Sequence, residues 1–481
     1  MSMSGMIETK RGKTRVDELR SVYFIGIGGI GMSALARYFY SKGAKVSGYD
    51  KTQTELTREL EAAGMAVHYK EDVNAIPKDL DLVVYTPAVP ADHAELVYLK
   101  EHGYNVVKRS DVLGMISAAS FNICVGGTHG KTTITTMTAH ILRHSGYGST
   151  AFLGGISVNY NTNFWSSKMD VCVIEADEYD RSFLKLSPDI AVITAMDADH
   201  LDIYGDEQSM QDAFVAFGNK VKKDGLLVSR FGLKRIKEIT VKRKMSFSLR
   251  NDAADIFADE IRMEEGGYRY NAVINGEVLS NLELRIGGMH NVENSLVAIA
   301  IASELGITPD KIREAVAAFK GVRRRFEYII PPQKQEAGGY VMPVLVDDYA
   351  HHPEELKALL TSVRSLFPQR LVTVVFQPHL FTRTRDLADG FAAALSLADT
   401  VILLPIYPAR ELPLEGVESG LIAKKIEGSK TLVLSKEGLI DWMKAHRKEL
   451  NKEFGEVIVM AGAGDIDVLV QPVKEIIQGK L

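Results

Sequence analysis

Cysteine is scarce, with only Cys124 and Cys172 in 481 residues. Each lies in an apolar run, Phe121 to Val125 and Val171 to Ile174, so two buried thiols are expected rather than a disulfide or a metal site. A basic surplus is also missing. The formal net charge is −5, which is not the charge pattern of a nucleic-acid or anionic-membrane binder, although net charge says nothing of one pocket. No uncharged apolar run reaches the ~18 residues that a transmembrane helix needs. Residues 1–15 are polar and charged, read as a frayed lead-in without the apolar centre of a signal peptide. The expectation is a soluble, cytoplasmic protein of a reducing compartment, with no nucleic-acid and no membrane partner.

What is present is ordinary globular composition, 46% hydrophobic and 25% charged, enough to give each domain its own core. The length predicts about three domains at roughly 100–200 residues each. Strand-like runs alternate with helix-like segments. Val22 to Ile25 precedes a glycine turn and a helix over Met32 to Tyr40, and Val46 to Tyr49 and Leu80 to Tyr85 follow. This is the βαβ pattern of a parallel sheet. A second strand–glycine turn–helix begins at Phe121, followed by strands at Val171 to Ile174 and Ala191 to Thr194. Alternation over Ser246 to Leu284 predicts added antiparallel strands. A third block, starting near Gly321, has strands at Val344 to Val346, Leu371 to Phe376, Val401 to Leu404 and Val457 to Met460.

The chemistry-bearing residues cluster where these strands end. Gly26-Ile27-Gly28-Gly29-Ile30-Gly31 sits between a strand and a helix, where backbone N–H groups and the helix dipole can receive a diphosphate. Asp50 closes the next strand, placed for a ribose hydroxyl. The pattern fits NAD or another nucleotide diphosphate equally, and a purely structural turn is the plainer alternative. Gly127-Thr128-His129-Gly130-Lys131-Thr132-Thr133 follows the strand at Phe121. Such a loop wraps phosphates, with Lys131 neutralising charge and Thr132 reaching Mg²⁺. Val125 stands where the longer P-loop pattern has its first glycine. Two acidic groups, Glu175-Ala176-Asp177-Glu178 and Asp197-Ala198-Asp199-His200-Leu201-Asp202, follow strands at the edge where an open parallel sheet binds ligands. Glu175 suits Mg²⁺, whereas His200 is a softer ligand than Mg²⁺ prefers.

Gly288-Met289-His290-Asn291-Val292-Glu293-Asn294 opens a helix whose amides suit a nucleobase or, more simply, a cap. Arg323-Arg324-Arg325-Phe326-Glu327 places three guanidinium groups at a domain junction, either a solvated face or a source of charge stabilisation. Asp347-Asp348-Tyr349-Ala350-His351-His352-Pro353 and Phe376-Gln377-Pro378-His379-Leu380-Phe381-Thr382-Arg383 end successive strands and point to a small charged substrate.

In this order, over essentially the whole chain, the motifs resemble the Mur ligase family. The resemblance implies an α/β protein of three domains: a Rossmann-like UDP-sugar-binding domain at 1–118, a P-loop-type ATPase with a mainly parallel sheet at 119–324, and a Rossmann-like amino-acid-binding domain at 325–481. Gly-Ile-Gly-Gly-Ile-Gly-Met-Ser and Asp-Asp-Tyr-Ala-His-His-Pro favour the branch that joins L-alanine to UDP-N-acetylmuramate, with ATP and Mg²⁺, in peptidoglycan synthesis. The alternative within the family is recycling of a muropeptide by attachment of a tripeptide.

By the same resemblance, Gly28, Gly29, Ile30, Gly31, Asp50, Thr86 and His129 hold the UDP-sugar. Gly127, Thr128, His129, Gly130, Lys131, Thr132, Thr133, Asn294, Arg325 and Asp348 hold ATP. Thr132, Glu175 and His200 ligate the metal, and Tyr349, His351, His379 and Arg383 hold the amino acid. Lys131, His200, Arg325, His351 and Arg383 carry the catalysis. The implied assembly is a monomer or weak homodimer. Three positions depart from relatives: Ala195 stands where Asn is common, Leu380 where some have Arg, and Met210 to Phe214 lacks the lysine that sister ligases carbamylate.

Overall fold

The computed structural model describes residues 6–9, 12–197, 204–264, 266–333, 341–409, 411–447 and 455–480. The chain divides into two compact units, one of residues 1–258, 272–279 and 293–316, the other of 259–271, 280–292 and 317–481. Among the described residues no helix is long and apolar enough to cross a membrane.

In the first unit the chain opens with a hairpin, β1 (Met6–Thr9) and β2 (Gly12–Arg15), paired antiparallel. This corrects the expectation of a frayed lead-in for residues 6–9 and 12–15; the rest of residues 1–15 lie outside the described residues. Ile7 is buried and joins the same apolar cluster as Val16 and Leu19, which ties the hairpin to the core.

Next comes a five-stranded parallel sheet of β3 (Ser21–Ile25), β4 (Lys45–Tyr49), β5 (Ala66–His68), β6 (Leu82–Tyr85) and β7 (Val106–Lys108), in the order β5-β4-β3-β6-β7. The chain moves outward from β3 to one side and then the other. That makes the carboxyl ends of β3 and β6 the switch point where such sheets receive ligands. Val22 to Ile25 are wholly buried, as a central parallel strand with both faces covered requires.

The second sheet is built from β8 (Phe121–Gly126), β9 (Thr150–Ser157), β10 (Thr162–Trp165), β11 (Val171–Glu175), β12 (Ile190–Ile193), β13 (Leu226–Arg230), β14 (Arg243–Ser248), β15 (Ile256–Glu264), β16 (Gly267–Ile274) and β17 (Glu277–Leu284), in the order β10-β9-β11-β8-β12-β13-β14-β15-β16-β17. Strands β9, β11, β8, β12, β13, β14 and β15 pair in parallel, and β10 turns back antiparallel on β9. Here the switch point is β8, with Val125 opposite Glu175 on one side and Gly126 opposite Ile193 on the other. Cys124 and Cys172 are free and buried, as expected. The division between the units falls within β15–β17.

The sheet of the second unit has the order β18-β19-β23-β20-β21-β22, from β18 (Glu327–Ile330), β19 (Val344–Asp348), β20 (Leu371–Phe376), β21 (Thr400–Leu403), β22 (Lys430–Val433) and β23 (Glu456–Ala461). It is parallel except for β18. Its core includes Leu345, Val375, Ile402, Ile458 and Met460.

Candidate functional site

At the first switch point the chain turns at Gly26, whose φ of +85° suits glycine. The helix Ile30–Ser41 then begins without a side-chain cap, leaving its first N–H groups available to an anion. A cleft of about 330 Å³ opens here, lined by Gly29, Ile30, Gly31 and Thr86 as expected, together with Arg109, Glu175 and Asp177. A Cβ on Gly31 would lie 2.5 Å from Arg109 Nη1, so a side chain there would push the guanidinium out of its place. Asp50 and His129 do not line the cleft. The Gly28 N–H donates to Asp50 Oδ2 at 2.7 Å, so Asp50 braces the glycine turn. His129 is exposed beside Asp197, at 3.6 Å.

Arg109 is absent from the sequence motifs. It opens the helix Arg109–Ala118 and stands 3.6 Å from Asp177. A cation at the mouth of a diphosphate-type turn is the feature that sequence reasoning missed, and only the Lys108-Arg109 pair after a strand-like run hinted at it.

The Gly127–Thr133 loop joins β8 to the helix Lys131–His144. Gly127 and Gly130 have φ of +123° and +77°, and added Cβ atoms would meet Thr194 Oγ1 at 2.1 Å and Asn294 Oδ1 at 2.7 Å. The loop is therefore packed between β12's end and Asn294, which puts Asn294 beside the phosphate loop. The Lys131 ammonium donates to Gly127 O at 2.8 Å and to Glu178 Oε1 at 2.7 Å. Glu178 is almost fully buried, so the lysine is charge-compensated. Thr132 Oγ1 donates to Glu175 Oε1 at 2.9 Å, and Gly154 N–H donates to Glu175 Oε2 at 3.0 Å. Glu175 also lines the first cleft, so that cleft and the loop share one carboxylate. Thr128 and Thr133 are largely buried in the loop. His200 lies outside the described residues.

In the second unit the carboxyl ends of β19 and β20 hold the remaining candidates. Of the three arginines, Arg324 is engaged structurally. Its guanidinium donates to Gly462 O, lies 3.7 Å from both Asp347 and Asp467, and covers the Tyr349 ring at 5.1 Å. Arg325 is exposed. Asp348 accepts from Phe326 N at 2.7 Å and Ala350 N at 2.8 Å. Burial pushes its carboxyl up to about 6, against the pull of those N–H groups.

The adjacent histidines differ in role. His352 caps the helix Pro353–Leu366. His351 Nδ1 lies 3.0 Å from Tyr349 O; a carbonyl only accepts, so Nδ1 carries a proton, and in the neutral ring the lone pair is on Nε2. The His351 and His379 rings are 6.0 Å apart. His379 Nδ1 and Arg383 Nη1 are buried without a hydrogen-bond partner among the described residues. Burial, then the neighbouring Arg383, holds the His379 imidazole below its ordinary range.

A glycine-loop ATPase element with a lysine, a threonine–carboxylate pair and a doubly wound sheet on its amino-terminal side defines a nucleotide-dependent α/β enzyme. Residues 21–121 match the Mur ligase family catalytic domain, residues 125–302 the Mur ligase middle domain, and residues 324–464 the Mur ligase glutamate ligase domain. The chain belongs to the Mur ligase family. A UDP-N-acetylmuramate–L-alanine ligase of Christiangramia forsetii is 45% identical over 466 residues, 96% of this chain and 98% of that one. The ligase of the same name from Cytophaga hutchinsonii is 46% identical over 468 residues, 95% of this chain and 96% of the other. The crystal structure of the UDP-N-acetylmuramate–alanine ligase of Thermotoga maritima matches with a TM-score of 0.78 at 28% identity, covering 96% of this chain and 100% of that one.

Proposed function

We propose that this protein joins L-alanine to the lactyl carboxylate of UDP-N-acetylmuramate with cleavage of ATP to ADP and phosphate, an early amino-acid addition of peptidoglycan synthesis. The observation that carries this reading is the cleft in which the glycine turn, Arg109 and Glu175 meet, with Glu175 bonded to Thr132 of the phosphate loop. A diphosphate-bearing acceptor and ATP thereby share one wall. The whole-length relatives supply the substrate class.

The lactyl carboxylate oxygen attacks the γ-phosphorus of ATP. The β,γ-bridging bond breaks, ADP leaves and an acyl phosphate forms. The amine of alanine then adds to the acyl carbon, and the tetrahedral intermediate expels phosphate as the amide forms. A carboxylate is a poor electrophile, so phosphorylation supplies the leaving group. The protein's part is positioning and charge neutralisation. Lys131 exchanges Glu178 for the ATP phosphates. Arg109 and the Gly29–Gly31 N–H groups hold the UDP diphosphate, and Asn294 reads adenine. Asp348 is assigned to the ribose and Arg325 to the phosphates. His351 Nε2 takes the proton that the alanine amine loses, and Tyr349, His379 and Arg383 bind the amino acid.

Thr132 and Glu175 offer hard oxygens side by side and fit Mg²⁺; with His200 they would hold it, and it would supply neutralisation of phosphate charge. Residues 1–118, 119–324 and 325–481 act as UDP-sugar, ATP and amino-acid domains in the cytoplasm, in a monomer or weak homodimer.

The test is phosphate release from ATP with UDP-N-acetylmuramate, across single amino acids and the recycling tripeptide. Release that needs both the UDP-sugar and L-alanine, with the conjugate seen by mass, is the expected result. Release with the tripeptide alone would move the protein to the recycling branch. Lys131→Ala should abolish acyl-phosphate formation while UDP-sugar binding stays measurable.

A further inference from the structure

Two residues that belong to no motif hold the side chains read above as the amino-acid site. Tyr407 lies after β21. Its N–H donates to Pro378 O at 2.9 Å, and its carbonyl accepts the Leu380 N–H at 2.9 Å. The two bonds bracket His379 in a parallel bridge, and the Tyr407 ring stacks on the imidazole with centroids 5.7 Å apart and planes 18° apart. Glu411 accepts the Thr382 N–H at 3.0 Å and the Thr382 hydroxyl. Thr382 is in the first turn of the short helix Phe381–Asp386 that carries Arg383. Leu380 and Ala409 both have positive φ, +70° and +50°. Such backbone persists only where surrounding contacts over-determine it. His379 Nδ1 and Arg383 Nη1, the polar atoms these contacts fix, are buried without partners among the described residues.

We propose that Tyr407 and Glu411 are positioning residues for the amino-acid substrate, Tyr407 fixing the imidazole of His379 and Glu411 fixing the helix turn that aims Arg383 at the substrate carboxylate. The proposal rests on the reading of His379 and Arg383 as amino-acid ligands. It has physical force in this chain because position 380 is leucine, so no arginine there shares the carboxylate. Affinity then depends on how rigidly Arg383 is held. A guanidinium free to wander loses the paired geometry that makes it a carboxylate binder.

The experiment compares Tyr407→Ala, Tyr407→Phe, Glu411→Ala and Thr382→Val with the parent enzyme, measuring kcat and the KM of each substrate, with thermal unfolding alongside. Tyr407→Ala, Glu411→Ala and Thr382→Val should raise KM for L-alanine by about tenfold or more and leave KM for ATP and UDP-N-acetylmuramate within about twofold. Tyr407→Phe keeps the stacked ring and should behave as the parent. Unchanged KM for L-alanine in Tyr407→Ala and Glu411→Ala overturns the proposal. So does an equal rise in all three KM values with a lowered Tm, which would mark a merely structural role. If Tyr407→Ala does not fold, Thr382→Val decides, because it removes one hydroxyl and keeps the side-chain volume. Failure of the parent enzyme to use L-alanine would overturn the underlying functional reading, a result distinguishable from normal parent turnover with an unmoved variant.

Discussion

Gly154 leaves no room for a side chain. A Cβ on it would lie 2.3 Å from Glu175 Oε2, and its N–H already holds that oxygen at 3.0 Å. Gly154→Ala must therefore push the Glu175 carboxylate away from Thr132. A displacement of about 1 Å at a reacting centre costs on the order of 100-fold in rate, so kcat should fall by about that factor. Parent-like kcat in Gly154→Ala would show that the Glu175–Thr132 pair does not matter to turnover. A second residue-scale consequence concerns Lys131 and Glu178, whose side chains are 15% and 1% exposed. Removing one partner of a buried pair costs about 3–5 kcal/mol, because the other charge is left uncompensated. Glu178→Gln should lower the Tm of the nucleotide-free protein. ATP phosphates would then restore the missing negative charge, so the Tm increase on adding ATP should exceed that of the parent. An equal increase in both proteins would mean that Lys131 does not pass from Glu178 to the nucleotide.

Among the elements, the helix Lys131–His144 combines a functional end with a titratable back. His140 is 1% exposed. Its Nε2 lies 2.8 Å from Ala315 O and its Nδ1 3.0 Å from Tyr160 Oη. The carbonyl requires a proton on Nε2, so Nδ1 accepts from the tyrosine and the neutral ring is fully satisfied. Burial pushes its pKa down to about 4. Unfolded, the ring protonates near 6.5. Between those values the unfolded chain binds the extra proton, so stability falls as pH drops from about 6.5 to 4, by about 3 kcal/mol in all. His140→Gln should flatten the stability profile over that window, as denaturant titrations at successive pH values would show; an unchanged slope would assign the acid sensitivity elsewhere.

At this same scale, the sequence was legible where signals are local. Val22 to Ile25, Leu371 to Phe376 and the Gly127–Thr133 loop could be read because burial on both faces makes a strand continuously apolar and a phosphate turn demands glycines at fixed spacing. Ala66–His68 and Lys430–Val433 could not, since short edge strands carry no apolar run. The roles of Arg109, Glu178, Tyr407 and Glu411 could not be read for a related reason, although Glu178 stood in an acidic group. Their meaning lies in partners far along the chain, Gly31, Lys131, His379 and Thr382, and no spacing encodes those meetings. Met210 to Phe214, by contrast, is read directly: the helix Glu207–Gly218 holds no lysine, so turnover should be indifferent to added bicarbonate, and rescue by bicarbonate would contradict this.

For the molecule as a whole, the two compact units set how ligands should register in unfolding. The residues proposed for the UDP-sugar, Gly29, Gly31, Thr86 and Arg109 among them, all belong to the first unit. One apolar cluster there runs from Phe24 and Leu35 to Phe152 and Phe214, so its two sheets share a core and should melt together. The amino-acid residues Tyr349, His351, His379 and Arg383 all belong to the second unit, whose own cluster spans Ile330 to Ile477. Two units, each with its own apolar clusters, predict calorimetric unfolding that departs from a single two-state transition. A ligand that binds only folded protein stabilises it by about 2.7 kcal/mol at a hundredfold excess over Kd. In a unit of this size, at about 2.1 cal/mol/K of unfolding entropy per residue, that moves a transition by roughly 4–5 °C. UDP-N-acetylmuramate alone should therefore raise one transition by a few degrees and leave the other in place. L-alanine alone should act, more weakly, on the second. A single transition that moves as a whole with either ligand would show that the two cores unfold as one, and the division of ligand sites between them would then have no thermodynamic expression.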